Sequence, residues 1–223
     1  MDLSLNNQTP DASDSQTRQA IAFAGQQRIA AGSILEVARK VKKRMAAGED
    51  APILIFDYGS SEPIEIDFRG KLADVEKRLR TEPAAAVSSP TKRGPGRPKL
   101  GVIGREVTLL PRHWEWLDEQ PGGASVVLRR LVETAKRENR EKDQARRSQE
   151  AAYRFMSTMA GNLPGFEEAT RAFYSGDDGR CAALITLWPR DIREHVKKLI
   201  ATARRDQAAA HKSERPGESS PGD

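Results

Sequence analysis

The chain has 223 residues, of which 37% are hydrophobic and 31% are charged, and its mean hydropathy is −0.66. These values argue against a protein of membrane-spanning helices and against a large enzyme with one extensive core. The formal net charge is +5, and residues 92–147 hold 14 basic against 8 acidic side chains, a local charge of +6. Such a segment attracts polyanions, although a solvated linker and helix would have the same composition.

The N-terminal third of the chain begins with a polar stretch and continues with the pattern of a small domain. Residues 1–19 are polar and predict a disordered tail. Residues 20–80 predict a small α+β domain that opens with a hairpin, whose strands are residues 21–24 and 28–31.

The remainder of this predicted domain alternates between helical and strand patterns. Ser33 with Glu36 three residues later is a capping-box pattern and indicates the start of a helix. Residues 52–57 form a continuous apolar run, typical of a buried strand, and residues 63–68 alternate as a fourth strand would. A short amphipathic helix over residues 71–80 ends the domain. The predicted order is therefore ββαββ.

Residues 81–103 predict a flexible linker that ends in a basic arm. Its glycines and prolines oppose helix and sheet, and its basic side chains suit contact with phosphates. Gly96 permits close approach of the backbone to a binding surface, and Pro98 keeps the backbone extended. The candidate nucleic-acid-binding residues of this arm are Lys92, Arg93, Gly96, Arg97, Pro98 and Lys99.

The run from Arg93 to Lys99, Arg-Gly-Pro-Gly-Arg-Pro-Lys, resembles the AT-hook, a peptide that lies in the minor groove of A·T-rich DNA. The resemblance implies that Arg97 extends along the groove floor. Pro95 replaces the first arginine of the usual Arg-Gly-Arg-Pro core, so selectivity for A·T tracts does not follow. A plain flexible basic linker is the alternative.

Residues 104–160 predict a strand followed by helices. Residues 106–110 are β-prone, Pro111 suits the first position of a helix, and residues 121–123, Pro-Gly-Gly, end that helix. A second helix continues without Gly or Pro to Met159 as one long helix. Further candidate nucleic-acid-binding residues in this segment are Arg105, Thr108, Arg112 and Ser125.

Residues 104–137 resemble the ribbon-helix-helix fold. The resemblance implies a homodimer in which residues 106–110 of two chains pair as a ribbon in the major groove. It also implies a phosphate anchor at the amides of Gly123, Ala124 and Ser125. Thr108 then faces the groove, where the neighbouring Glu106 would be repelled by phosphates. The alternative is a helical hairpin packed on the rest of the chain.

The last third of the chain predicts helices and shows no catalytic constellation. Residues 161–205 predict a C-terminal helical bundle, and residues 206–223 a disordered tail. Cys181, the single cysteine, is expected to be a small buried side chain, and His195 a surface or hydrogen-bonded histidine. Asp57 is expected to face outward from its strand. No metal, cofactor or catalytic residue is predicted.

Four pieces of the chain also resemble an uncharacterised bacterial family, domain of unknown function number 2239. They lie at residues 23–30, 93–101, 105–114 and 152–156. The resemblance covers about residues 20–200, implies a bacterial cytosolic protein and assigns no activity.

These observations predict an α+β protein that binds DNA or RNA as a homodimer of bacterial regulator type. The alternative is a non-enzymatic protein-interaction scaffold, and a protein partner remains open in both cases. The first residues lack the charged segment and apolar run of a signal peptide, and no membrane span is found. A cytoplasmic location is therefore predicted, and a nucleoid-associated one remains open.

Overall fold

The computed structural model describes residues 18–81 and 104–214. They form two compact units: the main unit, residues 18–81 with 141–214, and the inserted unit, residues 104–140. Within these ranges no helix has both the length and the apolar content to cross a membrane. In chain order the elements are β1 (Gln19–Ala24), β2 (Gln27–Ser33), α1 (Ile34–Ala46), β3 (Ile53–Asp57), α2 (Leu72–Thr81), α3 (Pro111–Asp118), α4 (Gly123–Glu138), α5 (Arg140–Ala160), α6 (Phe166–Ser175), α7 (Asp178–Leu184), a 3-10 turn (Ile185–Leu187) and α8 (Arg190–Glu214).

The main unit contains a three-stranded antiparallel sheet in the order β2-β1-β3. The predicted hairpin and the predicted buried strand are both present, and the α+β class is confirmed. The hairpin turns through Gly25 at φ 52°, a left-handed conformation that glycine adopts without strain. The ladder shifts register between Ala22 and Phe23, which marks a bulge in the pairing with β2.

The predicted fourth strand, residues 63–68, is not formed. Within this segment, Pro63 forms an isolated β-bridge with Phe56 of β3. Further along, the Arg78 guanidinium on α2 donates to the carbonyl oxygens of Asp67 and Arg69, at 2.8 and 2.5 Å. These hydrogen bonds hold the end of the segment against α2 rather than in a strand ladder. The order is therefore ββαβ.

Both faces of the sheet are buried. Successive residues of a strand point to opposite faces, so β1 contributes side chains to two separate clusters. Ala20 and Ala22 pack on the side of α1, in a cluster with Ile34, Val37 and Val41.

On the other side, Ile21 and Phe23 pack with helices from the C-terminal part of the chain. The buried members of that cluster from α5 to α8 include Phe155, Met156, Phe173, Ile185, Trp188, Ile192 and Val196. Residues 20–80 and 161–205 were predicted to form different domains, whereas in the structure they share this core.

The helix over residues 34–46 begins as the sequence predicts. Ser33 is its N-cap: the Ser33 hydroxyl accepts from the Glu36 N–H, and the Glu36 carboxylate accepts from the Ser33 N–H at 3.0 Å. This reciprocal pair satisfies two N–H groups that would otherwise lack partners.

The predicted long helix from the inserted unit to Met159 is interrupted at Asn139. The Asn139 side-chain amide donates to the Ala135 carbonyl at 2.8 Å, and its backbone N–H donates to the same oxygen at 2.9 Å. Asparagine competes for helical acceptors in this way and favours helix ends. α4 therefore ends at Glu138, and a separate helix begins at Arg140.

Candidate nucleic-acid interface

The inserted unit is a hairpin of α3 and α4 preceded by residues 104–110. Leu110 is extended at φ −69° and ψ 150°, and Pro111 occupies the first turn of α3, where its missing N–H removes no hydrogen bond. Gly122 and Gly123 have positive φ angles of 94° and 74° and reverse the chain into α4. These boundaries agree with the sequence analysis.

Residues 104–110, the predicted strand, form neither helix nor strand within the chain. Their side chains are exposed except for the half-buried Leu109, and Val107 and Leu110 are 57% and 49% exposed. An isolated strand has no ladder hydrogen bonds and gains no stability without a neighbour. The segment therefore presents unpaired backbone and apolar side chains to the surroundings.

An open apolar groove of about 270 Å³ lies beside this segment. Only Leu117 and Val127, at 2% and 1% exposure, are fully buried in the described part of the inserted unit. Apolar residues of both helices remain substantially exposed, among them Trp116 and Leu131. The residues that line the groove are Leu109, His113, Trp116, Leu117, Leu128 and Leu131. A contiguous apolar surface of this kind marks a site of association.

The N-terminus of α4, where the ribbon-helix-helix resemblance places a phosphate anchor, lies at two glycines with positive φ angles. Gly122 caps it in a left-handed conformation without a side-chain hydrogen bond, and no acidic residue lies in the first turn. Gly123 and Ser125 are exposed. Backbone N–H groups at such an end carry the positive pole of the helix and can bind a phosphate.

The predicted site residues divide into two groups. Arg105, Thr108, Arg112 and Ser125 are all exposed on the inserted unit. No hydrogen bond or ion pair links their side chains to other described residues, so these side chains are free to reach a ligand. The arm residues Lys92, Arg93, Gly96, Arg97, Pro98 and Lys99 lie outside the described residues.

The charge of the inserted unit is nearly balanced. Residues 104–140 hold seven basic and six acidic side chains, whereas residues 92–99 hold four basic and no acidic ones. Three exposed carboxylates on α3 and at its C-cap, Glu115, Asp118 and Glu119, were not among the predicted site residues. The excess of positive charge in this part of the sequence therefore lies in residues 92–99, whereas the groove has a mainly apolar lining.

Gly122→Ala is expected to destabilise the inserted unit by about 1–2 kcal/mol, the usual penalty of a left-handed conformation for a residue with a side chain. A Cβ at this position would also lie 3.3 Å from Cγ1 of Val126. Hydrogen exchange of the α4 amides measures the effect and should become faster. Gly104→Ala is the matched control, because a Cβ there meets no atom within 4 Å. Equal exchange in both variants would contradict the prediction.

The carboxylates of the main unit serve structural contacts. Burial alone would raise the pKa of Asp57, but hydrogen bonds from Ser60 and from the Arg18 guanidinium more than offset this and lower it. The Arg69 guanidinium holds the pKa of Asp67 well below its usual range. Among residues 18–81 and 104–214, no three His, Cys, Asp or Glu side chains lie together as metal ligands. Both carboxylates are therefore ionised hydrogen-bond acceptors at neutral pH.

The chain matches the model of a known protein family. The model of a family described as an uncharacterised protein conserved in bacteria, domain of unknown function 2239, matches residues 19–213. No curated protein and no solved structure matches the chain.

Proposed function

Because the chain belongs to this uncharacterised bacterial family, whose description gives no activity, we propose a function from the inserted unit. We propose that the protein is a homodimer that binds nucleic acid, DNA or RNA, as a bacterial regulator does, and that it acts in the cytoplasm or at the nucleoid. The supporting observation is the exposed segment 104–110, which follows the basic arm and lies beside an apolar groove.

A second copy of the chain is the occupant that this surface suits best. Antiparallel pairing of residues 104–110 from two chains would give each segment the partner strand that it lacks. The same pairing would bring Val107 and Leu110 away from water and place apolar side chains of the second copy over the groove. Because two fully buried side chains make a very small core, the unit gains stability from such burial.

The nucleic-acid surface would combine side chains and backbone of the inserted unit with the arm. Arg105 and Arg112 would contact phosphates, and the amides at Ser125 would hold one more. Thr108 can reach a base edge, but Glu106 on the same segment is repelled by phosphates. We therefore infer that attraction to the backbone outweighs base reading. On this proposal the unit is ribbon-helix-helix-like and the arm AT-hook-like.

Replacing Arg93, Arg97 and Lys99 together with alanine is expected to weaken binding to every sequence. Each removed cation should lower the affinity roughly tenfold near 0.1 M salt and flatten the slope of log K against log salt by about 0.9. Fluorescence anisotropy of a labelled duplex, titrated at several salt concentrations, measures both quantities.

A matched control removes three exposed lysines of the main unit, Lys40, Lys43 and Lys71. This variant loses the same formal charge, so general electrostatic attraction falls equally while the arm stays intact. The proposal expects a clearly smaller loss of affinity and of slope than in the arm variant. Equal losses in the two variants would show that the arm has no special role.

The alternative function is a protein-interaction scaffold. The nearly balanced charge of residues 104–140 and the mainly apolar lining of the groove favour a protein surface in this place. A protein partner that is retained after nuclease treatment and after replacement of the arm cations would support it. In that case the inserted unit binds protein and the arm is a linker.

A further inference from the structure

One histidine of the main unit is enclosed where sheet and helices meet. His195 on α8 is 1% exposed. Its ring centroid lies 4.5 Å from that of Phe155 on α5, 5.6 Å from that of Tyr58 after β3, and 6.1 Å from that of Phe23 on β1. The imidazole therefore touches aromatic rings from three other parts of the main unit.

Neither ring nitrogen of His195 has a hydrogen-bond partner among the described residues. The expectation of a surface or hydrogen-bonded histidine is therefore wrong. A neutral imidazole has one N–H donor, whereas a protonated ring has two donors and a full charge. Burying an unpaired charge in such surroundings is far more costly than burying a neutral polar group.

The charged groups that act on the ring oppose a proton as well. They are Arg28 on β2 and Lys198 on α8, both cations. Asp57, which precedes Tyr58, accepts from the Arg18 guanidinium at 3.1 Å, and Asp191, four residues before His195 on α8, accepts from the backbone N–H of Arg28 at 2.8 Å. Burial, followed by the two cations, lowers the pKa of His195 from 6.5 to about 4.

We propose that His195 is a proton-sensitive latch between the sheet and the helices of the main unit: uptake of a proton on its ring opens that interface. The closed state buries a neutral ring, and the open state returns the ring to water, where it accepts a proton readily. The role is independent of the inserted unit and of any nucleic acid.

The sign of the pH dependence follows from the two states. A histidine ring in water has its ordinary pKa of 6.5, and burial in the closed state lowers the pKa of His195 to about 4, so acid favours the state that returns the ring to water. The stability contributed by neutral His195 is complete above pH 6.5 and is lost as the pH falls towards 4. Protonation of His195 alone should lower the ratio of closed to open molecules by up to about 300-fold between neutral and acidic pH.

The test is hydrogen exchange of the β1 amides in the full chain, corrected for intrinsic exchange and followed from neutral to acidic pH. His195→Phe keeps an aromatic ring and removes the titrating nitrogens. The loss of protection with acid should be smaller in this variant than in the wild type, by a factor that approaches about 300. His211→Phe, an exposed position on the same helix, should behave like the wild type.

Equal acid dependence in the wild type and in His195→Phe would overturn the proposal. If the variant does not fold, the ring of His195 is titrated directly by nuclear magnetic resonance in the native protein. A pKa well below 6.5, with loss of the folded signals on protonation, supports the latch. A pKa at or above that value overturns it.

Discussion

Phe155→Ala should destabilise the main unit by about 3–5 kcal/mol, the usual cost of removing a buried phenyl ring. Phe155 is fully buried, and its ring lies 5.4 Å from the rings of both Phe23 and Phe56, measured between centroids. The cavity would therefore lie between the sheet and the helices. Since a typical domain is stable by only 5–15 kcal/mol, a large part of its stability would be lost.

Urea denaturation followed by circular dichroism measures the size of the loss, and hydrogen exchange shows where it occurs. β1 and α8 should lose protection together, because both pack against Phe155 in the same core. Tyr153→Ala is the matched control on the same helix: Tyr153 is 40% exposed and its ring contacts that of Tyr174, so a smaller loss is expected. Unchanged exchange in β1 of the Phe155 variant would contradict a shared core.

Leu131→Asp should turn the proposed dimer into a monomer while leaving the fold of each chain intact. Leu131 lines the groove and is 45% exposed in the single chain, so an aspartate there should cost about 1 kcal/mol in the monomer, from lost burial and from the lower helix propensity of aspartate. In a dimer the same carboxylate would be buried against apolar side chains without a partner, which is strongly unfavourable. Light scattering after size-exclusion chromatography measures the mass.

The wild type should have twice the 24.6 kDa of one chain, and Leu131→Asp should have the mass of a single chain. Leu187→Asp is the matched control, because Leu187 is 81% exposed on the main unit and should not affect the mass. A monomeric wild type, or a Leu131→Asp variant that remains dimeric, would remove the second copy from the proposed function.

Local features of the fold could be predicted from the sequence because each depends on a few neighbouring residues. The capping box at Ser33, the helix start at Pro111 and the break at Gly122 are decided by backbone chemistry within one turn. The same local rules gave a wrong prediction for residues 63–68, whose alternating pattern is typical of a strand although no strand forms there. There, a guanidinium eleven residues away, on Arg78, occupies the carbonyl of Asp67.

The shared core of the main unit could not be read from periodicity. Alternation in β1 shows that Ile21 and Phe23 share one face and Ala20 and Ala22 the other, but it does not identify what covers each face. The partner helices lie more than 100 residues later in the chain. The burial of His195 was missed for the same reason.

The candidate interface was predictable in part. The sequence identifies the basic arm and the glycines before α4, because charge and backbone freedom are properties of single residues. The groove requires the structure, since it joins Leu109 to Leu128 and Leu131 across the helix pair. No single-residue property of these leucines distinguishes a groove wall from a filled core.

Binding of a labelled duplex by the wild-type protein, measured as a function of salt, tests the central claim most directly. A protein with the proposed function should bind the duplex tightly at low salt, and its log affinity should fall linearly with log salt with a slope of about −0.9 for each phosphate contact. A chain that binds neither DNA nor RNA at low salt would contradict it.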